Sequence, residues 1–504
     1  MWITILNILQ GLGWTALGGF SLHTLWLLSV WLRRWRNIPQ PRSRFESLPR
    51  VTVQLPIFNE RYVVRRLLEA AARLDYPKDR LEIQLLDDST DDTPELAARY
   101  VAALRAEGYA VHHVRRAHRD GYKAGALAEG LRSATGEFIA LFDADFVPPA
   151  DFLRRTVHYF TDPGVGMVQT RWGHLNREAS FLTRAQALML DGHFLIEQVA
   201  RAQAGVFFNF NGSAGIWRAT AILEAGGWQS DTLAEDIDLS YRALLRGWRF
   251  IYLSDVVVPA ELPMDMGSLK IQHRRWAQGS IQAALKLLPD VLRSRQRLRV
   301  KIAAVFHFGN WFHYPLGLMA AALILPQLLV SRQPLGLSSA GIWGSAMSLL
   351  LVGTTMLFHL AAQWRAGKLR WALLFELPML MAVSVGLAVN NSLAIWNALR
   401  GASWSFQRTP KYGDRTTSPA HPGYRPAGTA WGWTELVLGA YLSVALAYAT
   451  IHAVYSLVPF LLPVSAGFLY SGFSAVAPGM SYRAAPDGQP SLVSVEPADI
   501  RWQP

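Results

Sequence analysis

The chain contains no cysteine. Disulfide frameworks, thiolate nucleophiles and Cys-ligated metals are therefore excluded, and no zinc site of the Cys-rich kind is implied. Also missing are a basic low-complexity arm, a zinc-finger spacing and an aromatic-basic RNA motif. Nucleic acid is thus not an expected partner, although Lys plus Arg number 49 against 37 Asp plus Glu. The resulting net charge of +12 suits an anionic lipid surface or an anionic nucleotide-sugar instead. No internal repeat of about 20–50 residues is present.

What is plentiful is apolar sequence, 51% of 504 residues, more than an ordinary soluble enzyme carries. Residues 1–36 contain an apolar run from Trp2 to Leu32, longer than the roughly 20 residues that span hydrocarbon. Arg33, Arg34 and Arg36 follow the run, whereas a cleaved signal peptide carries its charge before it. A retained transmembrane helix with its C-terminal end in the cytoplasm is expected. Apolar character returns at Ala303–Val330, Gly341–Ala362, Ala372–Val389 and Glu435–Phe473, the last long enough for two spans broken near Pro459 or Pro463. Residues 291–400 are expected as transmembrane and interfacial helices, and 401–433 as a cytoplasmic loop carrying Arg408, Lys411 and Arg415. Residues 434–477 are expected as C-terminal transmembrane helices and 478–504 as a disordered tail. Three full crossings would put the 401–433 loop outside. Ala372–Leu399, with Glu376, Pro378 and Asn390-Asn391, is therefore read as partly interfacial or re-entrant.

Residues 50–290 hold most of the carboxylates and break into short strands and amphipathic helices. Val51–Leu55 reads as a strand closed by Pro56, Val63–Leu74 as a helix, Leu81–Leu86 as a strand ending at Asp87-Asp88, and Phe138–Phe142 as a strand ending at Asp143. Carboxylates at the C-terminal ends of such strands predict an open α/β sheet with a nucleotide site outside those ends.

Asp143-Ala-Asp145 is the sharpest local signal, because charge beside a core strand costs several kcal/mol unless a cation or hydrogen bonds compensate. Hard Mg2+ or Mn2+, bound by one or two carboxylates plus diphosphate oxygens, supplies that cation. Of Asp87-Asp88-Ser-Thr-Asp91-Asp92, the last two equally suit a turn or helix cap. Lys123, among Gly121, Ala124 and Gly125, lets a phosphate approach, as any small-residue helix start would. Glu235, Asp236 and Asp238 open an apparent helix running to Leu245, a placement the helix dipole also favours. Gln272-His-Arg-Arg275-Trp276 joins an indole that stacks on sugars to a guanidinium that grips diphosphate, or else forms an interfacial anchor.

Taken in order, these segments resemble the membrane-bound, processive family 2 glycosyltransferases: cellulose, hyaluronan and chitin synthases and the cellulose-synthase-like families. The likeness runs from about Val51 to Lys286. Gln54-Leu-Pro-Ile-Phe-Asn59-Glu60, Leu86-Asp-Asp-Ser-Thr90, Gln169-Thr-Arg-Trp172, Phe210-Asn-Gly-Ser-Ala-Gly215 and Gly247-Trp248 are worded most like the cellulose-synthase-like A and C groups, which make mannan, glucomannan and xyloglucan backbones. Phe406-Gln-Arg-Thr409-Pro-Lys411 is similar to a cellulose synthase gating loop. The resemblance implies a cytoplasmic GT-A-type, Rossmann-like α/β domain inserted between transmembrane helices. It implies inverting hexose transfer from UDP-glucose or GDP-mannose, at a membrane and with Mg2+ or Mn2+, to a growing β-linked polysaccharide, β-1,4-glucan, mannan or glucomannan, coupled to its translocation; single transfer to a lipid acceptor and a catalytically inactive binding or transport subunit are the alternatives. By the same resemblance Asp236 is the general base beside Glu235. Asp87, Asp88, Lys123, Asp143, Arg275, Thr409 and Lys411 hold the nucleotide-sugar, Asp143 and Asp145 the metal, and Gln272 and Trp276 the acceptor. Ala234 stands where the family's motif has Thr, which puts the positioning of Asp236 or the acceptor preference in question.

Overall fold

The structure, a computed structural model, describes residues 2–330, 339–402, 407–413 and 431–476. Phe406, most of the expected 401–433 loop and the expected tail at 478–504 lie outside the described residues.

Seven strands, β1 (Val51–Ile57), β2 (Leu81–Asp87), β3 (Ala110–Arg115), β4 (Phe138–Leu141), β5 (Val165–His174), β6 (Gly215–Arg218) and β7 (Arg249–Ala260), form one sheet in the order β3-β2-β1-β4-β6-β5-β7. β6 runs antiparallel to both neighbours, and every other adjacent pair is parallel. The C-terminal ends of the six co-directional strands and the lead-in to β6 therefore share one edge, where Asp88, Asp143 and Asp145 follow β2 and β4. β1 does not stop at Pro56 but runs through it. Gln54 O accepts from Phe142 N at 3.2 Å, so residue 56 faces the same side, where β4 has already ended and no N–H is missed.

Both faces of the sheet are covered: β4 is apolar throughout, whereas β1 and β2 alternate apolar residues with the buried polar Thr52, Gln54, Glu82 and Gln84. These pair across the strands, Thr52 Oγ1 donating to Glu82 Oε2 at 2.6 Å and Gln54 Nε2 to Gln84 Oε1 at 3.0 Å. One face packs Val53, Leu55, Ile83, Leu85, Phe142 and Phe152. The other packs Leu127, Leu141, Trp217 and Tyr241 together with Leu27, Leu28 and Trp31 of the helix Trp2–Arg34, so the N-terminal helix is part of the domain's own core.

Among the described residues five helical segments are long and apolar enough to cross a membrane: Asn7–Arg34, Leu298–Leu329, Ile342–Arg365, Gly432–Ile451 and Tyr455–Val476. Helices Leu373–Gly386 and Ala388–Leu399 meet at a 40° bend, the geometry of a broken span or a re-entrant pair. The long helix Met266–Arg293 joins sheet domain to bundle. Its Asp265 cap accepts from Ser268 N at 2.8 Å. Near its start Lys270 and Glu435, 2% and 1% exposed, pair at 2.6 Å, while Asn390 Nδ2 donates to Lys270 O at 2.9 Å.

Candidate active site

The end of β1 and the end of β2 are laced together by Asn59, a left-handed residue at φ 56°. Its Oδ1 accepts from Thr90 N at 2.8 Å and its N–H donates to Ser89 Oγ at 2.8 Å. The two aspartates that follow β2 then part company. Asp88 lines the cavity at the sheet edge, gripped by Arg116 through Nε at 2.9 Å and Nη2 at 2.5 Å. Asp87 is 1% exposed and does not line it, since its oxygens are engaged by Ser89 N and His113 Nε2, each at 2.8 Å. Asp87, expected from sequence among the nucleotide-sugar residues, lies behind the cavity wall and braces the turn that presents Asp88.

The helix Tyr122–Ser133 starts from two left-handed residues, Gly121 and Tyr122, and delivers Lys123 to the centre of the site. Gly125 is required there, because a Cβ would lie 2.0 Å from Asp120 O. Lys123 Nζ lies 2.6 Å from Asp143 Oδ1 and 3.6 Å from Glu235 Oε1, and donates to Gly212 O at 2.8 Å. Beyond β4, buried Phe142, Ala144 and Phe146 clamp the backbone so that Asp143 and Asp145 project into the cavity. Asp143 N–H donates to Ser213 Oγ at 2.9 Å, tying β4 to the β6 lead-in.

Glu235 and Asp236 begin the helix Glu235–Leu245 and face the cavity, whereas Asp238 is wholly buried against Arg242 and Lys286. Burial and the adjacent Glu235 raise Asp236 to about 7, with Lys123 opposing. Its other close neighbour is Gly212, in the left-handed region at φ 82°, where a Cβ would come within 3.1 Å of Asp236 Oδ2. Ala234, the departure from the family wording, abuts Gly279 of the long helix, whose Cβ, if present, would be 2.9 Å from that of Ala234. Gln272, Arg275 and Trp276 on that helix all line the cavity. Burial holds Arg275 below its ordinary value and Glu235, Asp143, Asp236 and Asp145 offset this only in part, so its guanidinium sits in the field of all four carboxylates.

Segment 407–413 closes the site from the other side. Arg408 forks onto Glu60 at 3.0 and 2.7 Å, Lys411 Nζ lies 2.7 Å from Asp145 Oδ1, and Glu261 accepts from Tyr412 N at 2.9 Å and Gly413 N at 3.0 Å. Burial raises Glu60 to about 7, against Arg408 and Lys411. The Thr409 hydroxyl is buried on the cavity wall with no partner among the described residues. Glu60 and Glu261 were not singled out from sequence. Glu60 was legible as the last residue of the β1 motif, but nothing local marked Glu261, which follows a long strand.

Among the described residues no three His, Asp or Glu converge as a metal cage. Asp143 and Asp145, each balanced here by a lysine, fit a hard divalent cation that draws its remaining oxygens from diphosphate and water. The cavity is about 910 Å³ and continues from Lys123 and Asp236 past Trp276 to Trp311, Tyr314, Ser384 and Phe460 among the apolar helices.

Residues 49–279 match the model of a family described as glycosyltransferase like family 2. Glucomannan 4-beta-mannosyltransferase 2 of Arabidopsis thaliana is 36% identical over 362 residues, 66% of each chain. Glucomannan 4-beta-mannosyltransferase 7 of the same plant is 34% identical over 460 residues, 87% of this chain and 79% of that one. A solved mannosyltransferase of Pyrobaculum calidifontis in complex with GDP-Man and Mn2+ superposes with a TM-score of 0.53 at 27% identity, covering 73% of this chain and 99% of that one.

Proposed function

The chain belongs to the family 2 glycosyltransferases, in their cellulose-synthase-like group, and from that membership we propose that it transfers mannose from GDP-mannose to a growing β-linked mannan or glucomannan. The observation that carries the reading is the convergence of Lys123, Asp143, Asp145, Asp236, Arg275 and Trp276, from four separated stretches of chain, on one cavity. The mannose donor is taken from the relatives that share this architecture.

Lys123 and Arg275 bind the donor diphosphate and neutralise charge building on the leaving group. Asp88 meets the nucleoside. Asp143 and Asp145 would hold a Mg2+ or Mn2+ ion, which when bound supplies further charge stabilisation on the diphosphate. Trp276 and Gln272 seat the terminal sugar of the acceptor. Asp236, whose raised affinity for a proton suits a base working near neutrality, takes the proton of the attacking hydroxyl, which displaces the nucleoside diphosphate at the anomeric carbon from the opposite face and inverts it. Segment 407–413, with Thr409 and Lys411, closes over the donor and excludes water. The continuation of the cavity among the apolar helices supports growth of the chain from the cytoplasmic face into a membrane path.

The test is incubation of detergent-purified protein with Mn2+ or Mg2+ and, separately, radiolabelled GDP-mannose and UDP-glucose. Ethanol-insoluble label released by a β-mannanase establishes the proposal. Polymer from UDP-glucose alone overturns the donor, and label confined to a lipid extract replaces polymer by single transfer to a lipid.

A further inference from the structure

Between the helices Phe181–Gly192 and Gln198–Ala204 the chain makes one π-helical turn, His193–Glu197. Such turns widen a helix by one residue at a cost and concentrate at functional sites. This one carries an unbroken hydrogen-bonded line toward the transfer site. Arg201 Nε donates to Glu197 Oε1 at 2.9 Å, and Glu197 Oε2 lies 3.0 Å from His193 Nδ1. His193 Nε2 lies 3.0 Å from Asn211 Nδ2 and 3.2 Å from Gln198 Nε2, and Gln198 Nε2 also reaches Asn211 Oδ1 at 2.8 Å. Asn211 N–H donates to Gln169 Oε1 at 2.8 Å. The next residue, Gly212, fixes Lys123 through its carbonyl and lies against the Asp236 carboxylate.

The partners determine the proton's place on the imidazole. A carboxylate only accepts, so Nδ1 carries the hydrogen. Two amide NH2 groups only donate, so Nε2 is bare and accepts. Burial raises the Glu197 carboxyl, but the Arg201 guanidinium and the hydrogen bond from His193 outweigh it and hold it well below the usual range, so the acceptor that selects this tautomer stays charged.

We infer that His193 is a positioning residue for sugar transfer: through Asn211 it sets the Gly212 turn that holds Lys123 in place and walls the proposed base Asp236. His193 and Asn211 themselves line the same cavity, and in this role His193 acts through the Gly212 turn rather than through the donor and acceptor contacts assigned above. The inference rests on the transferase reading only for the choice of assay.

The test uses two variants that keep different halves of the imidazole. In His193→Gln the side-chain oxygen reaches where Nε2 stands and still accepts from Asn211. In His193→Asn the side-chain amide reaches only where Nδ1 stands, keeping Glu197 and losing Asn211. With whichever nucleotide-sugar the wild type turns over, His193→Asn is expected to lose about ten- to a hundredfold in kcat. The donor KM should move less than about threefold, and His193→Gln should retain most of the rate. Wild-type kcat in His193→Asn, or equal losses in both variants, overturns the proposal. So does a parallel fall in nucleotide binding and melting temperature that accounts for the lost rate, since that marks a role in folding alone. A readout independent of turnover is the 15N spectrum of histidine-labelled wild type, with His193→Gln identifying the signal. A neutral Nδ1–H imidazole is expected, and an Nε2–H form overturns the relay whatever the donor proves to be.

Discussion

Asp236 shares its first helical turn with Glu235 and faces Lys123 and Arg275 across a cavity, and its protonation follows from that company. With burial and Glu235 raising it to about 7, the base is ready only when that proton has left. The sign is therefore that kcat/KM rises with pH through about 7 and then levels. Glu60 is raised into the same range, so a rate profile alone does not assign the limb. Glu60→Gln should keep it, whereas Asp236→Asn should lower kcat by about 10²–10⁴-fold while nucleotide binding, measured by calorimetry, persists. Retention of turnover in Asp236→Asn would end the base assignment. Single residues were legible where chemistry made them expensive: two carboxylates beside an apolar strand at Asp143 and Asp145 ask for a cation in any fold. Adjacency in sequence hides the alternation of a strand end, which turns Asp87 inward and leaves Asp88 on the cavity wall.

Elements bring in the partners that sequence could not pair. The helix Met266–Arg293 approaches the base loop so closely at Gly279 that a methyl group there would meet Ala234. Gly279→Ala is thus expected to push Gln272, Arg275 and Trp276 away from Asp236. Acceptor KM should rise and kcat fall by about tenfold or more, while nucleotide affinity, set mainly by the opposite wall, changes little. Steady-state kinetics against added oligosaccharide would show it. Segment 407–413 is held by Glu261, whose two oxygens accept from Tyr412 and Gly413. Glu261→Gln places an amide donor against one of those N–H groups. Hydrogen exchange at Tyr412 and Gly413 should accelerate by about tenfold or more, with β1 unaffected. The motif strands were readable because apolar runs ending in Asp are unusual. The antiparallel β6, only four residues long, was not, because its register is fixed by neighbours remote in sequence.

At the scale of the molecule, charge and apolar length predict how the bundle sits. Glu435, paired with Lys270, puts the start of Gly432–Ile451 beside the catalytic domain, so Ile451, 78% exposed, lies at the far end of that helix. Because the chain has no cysteine, Arg132→Cys on the sheet domain and Ile451→Cys can each be labelled without background. A membrane-impermeant maleimide should reach them from opposite sides of sealed vesicles, and labelling of both from one side would contradict the proposed crossing. The apolar segments were legible because about 20 residues of hydrocarbon-compatible sequence have few other uses. Their packing was not: that the first helix would bury Trp31 against the sheet domain depends on shape at distant positions.

The Lys270–Glu435 pair also limits how the enzyme can be cut. The family match ends at residue 279, partway along a helix that continues to Arg293. A fragment ending at either point keeps the Lys270 ammonium but discards both its carboxylate and the helices that bury it, so the charge turns to water while the apolar wall beside it, Met266 and Leu269, is laid bare. Excising the transferase as a soluble piece therefore calls for polar replacements at Met266 and Leu269 as well as a stop codon, since the boundary that looks natural in the family match runs through a face the fold closes from as far as 165 residues away.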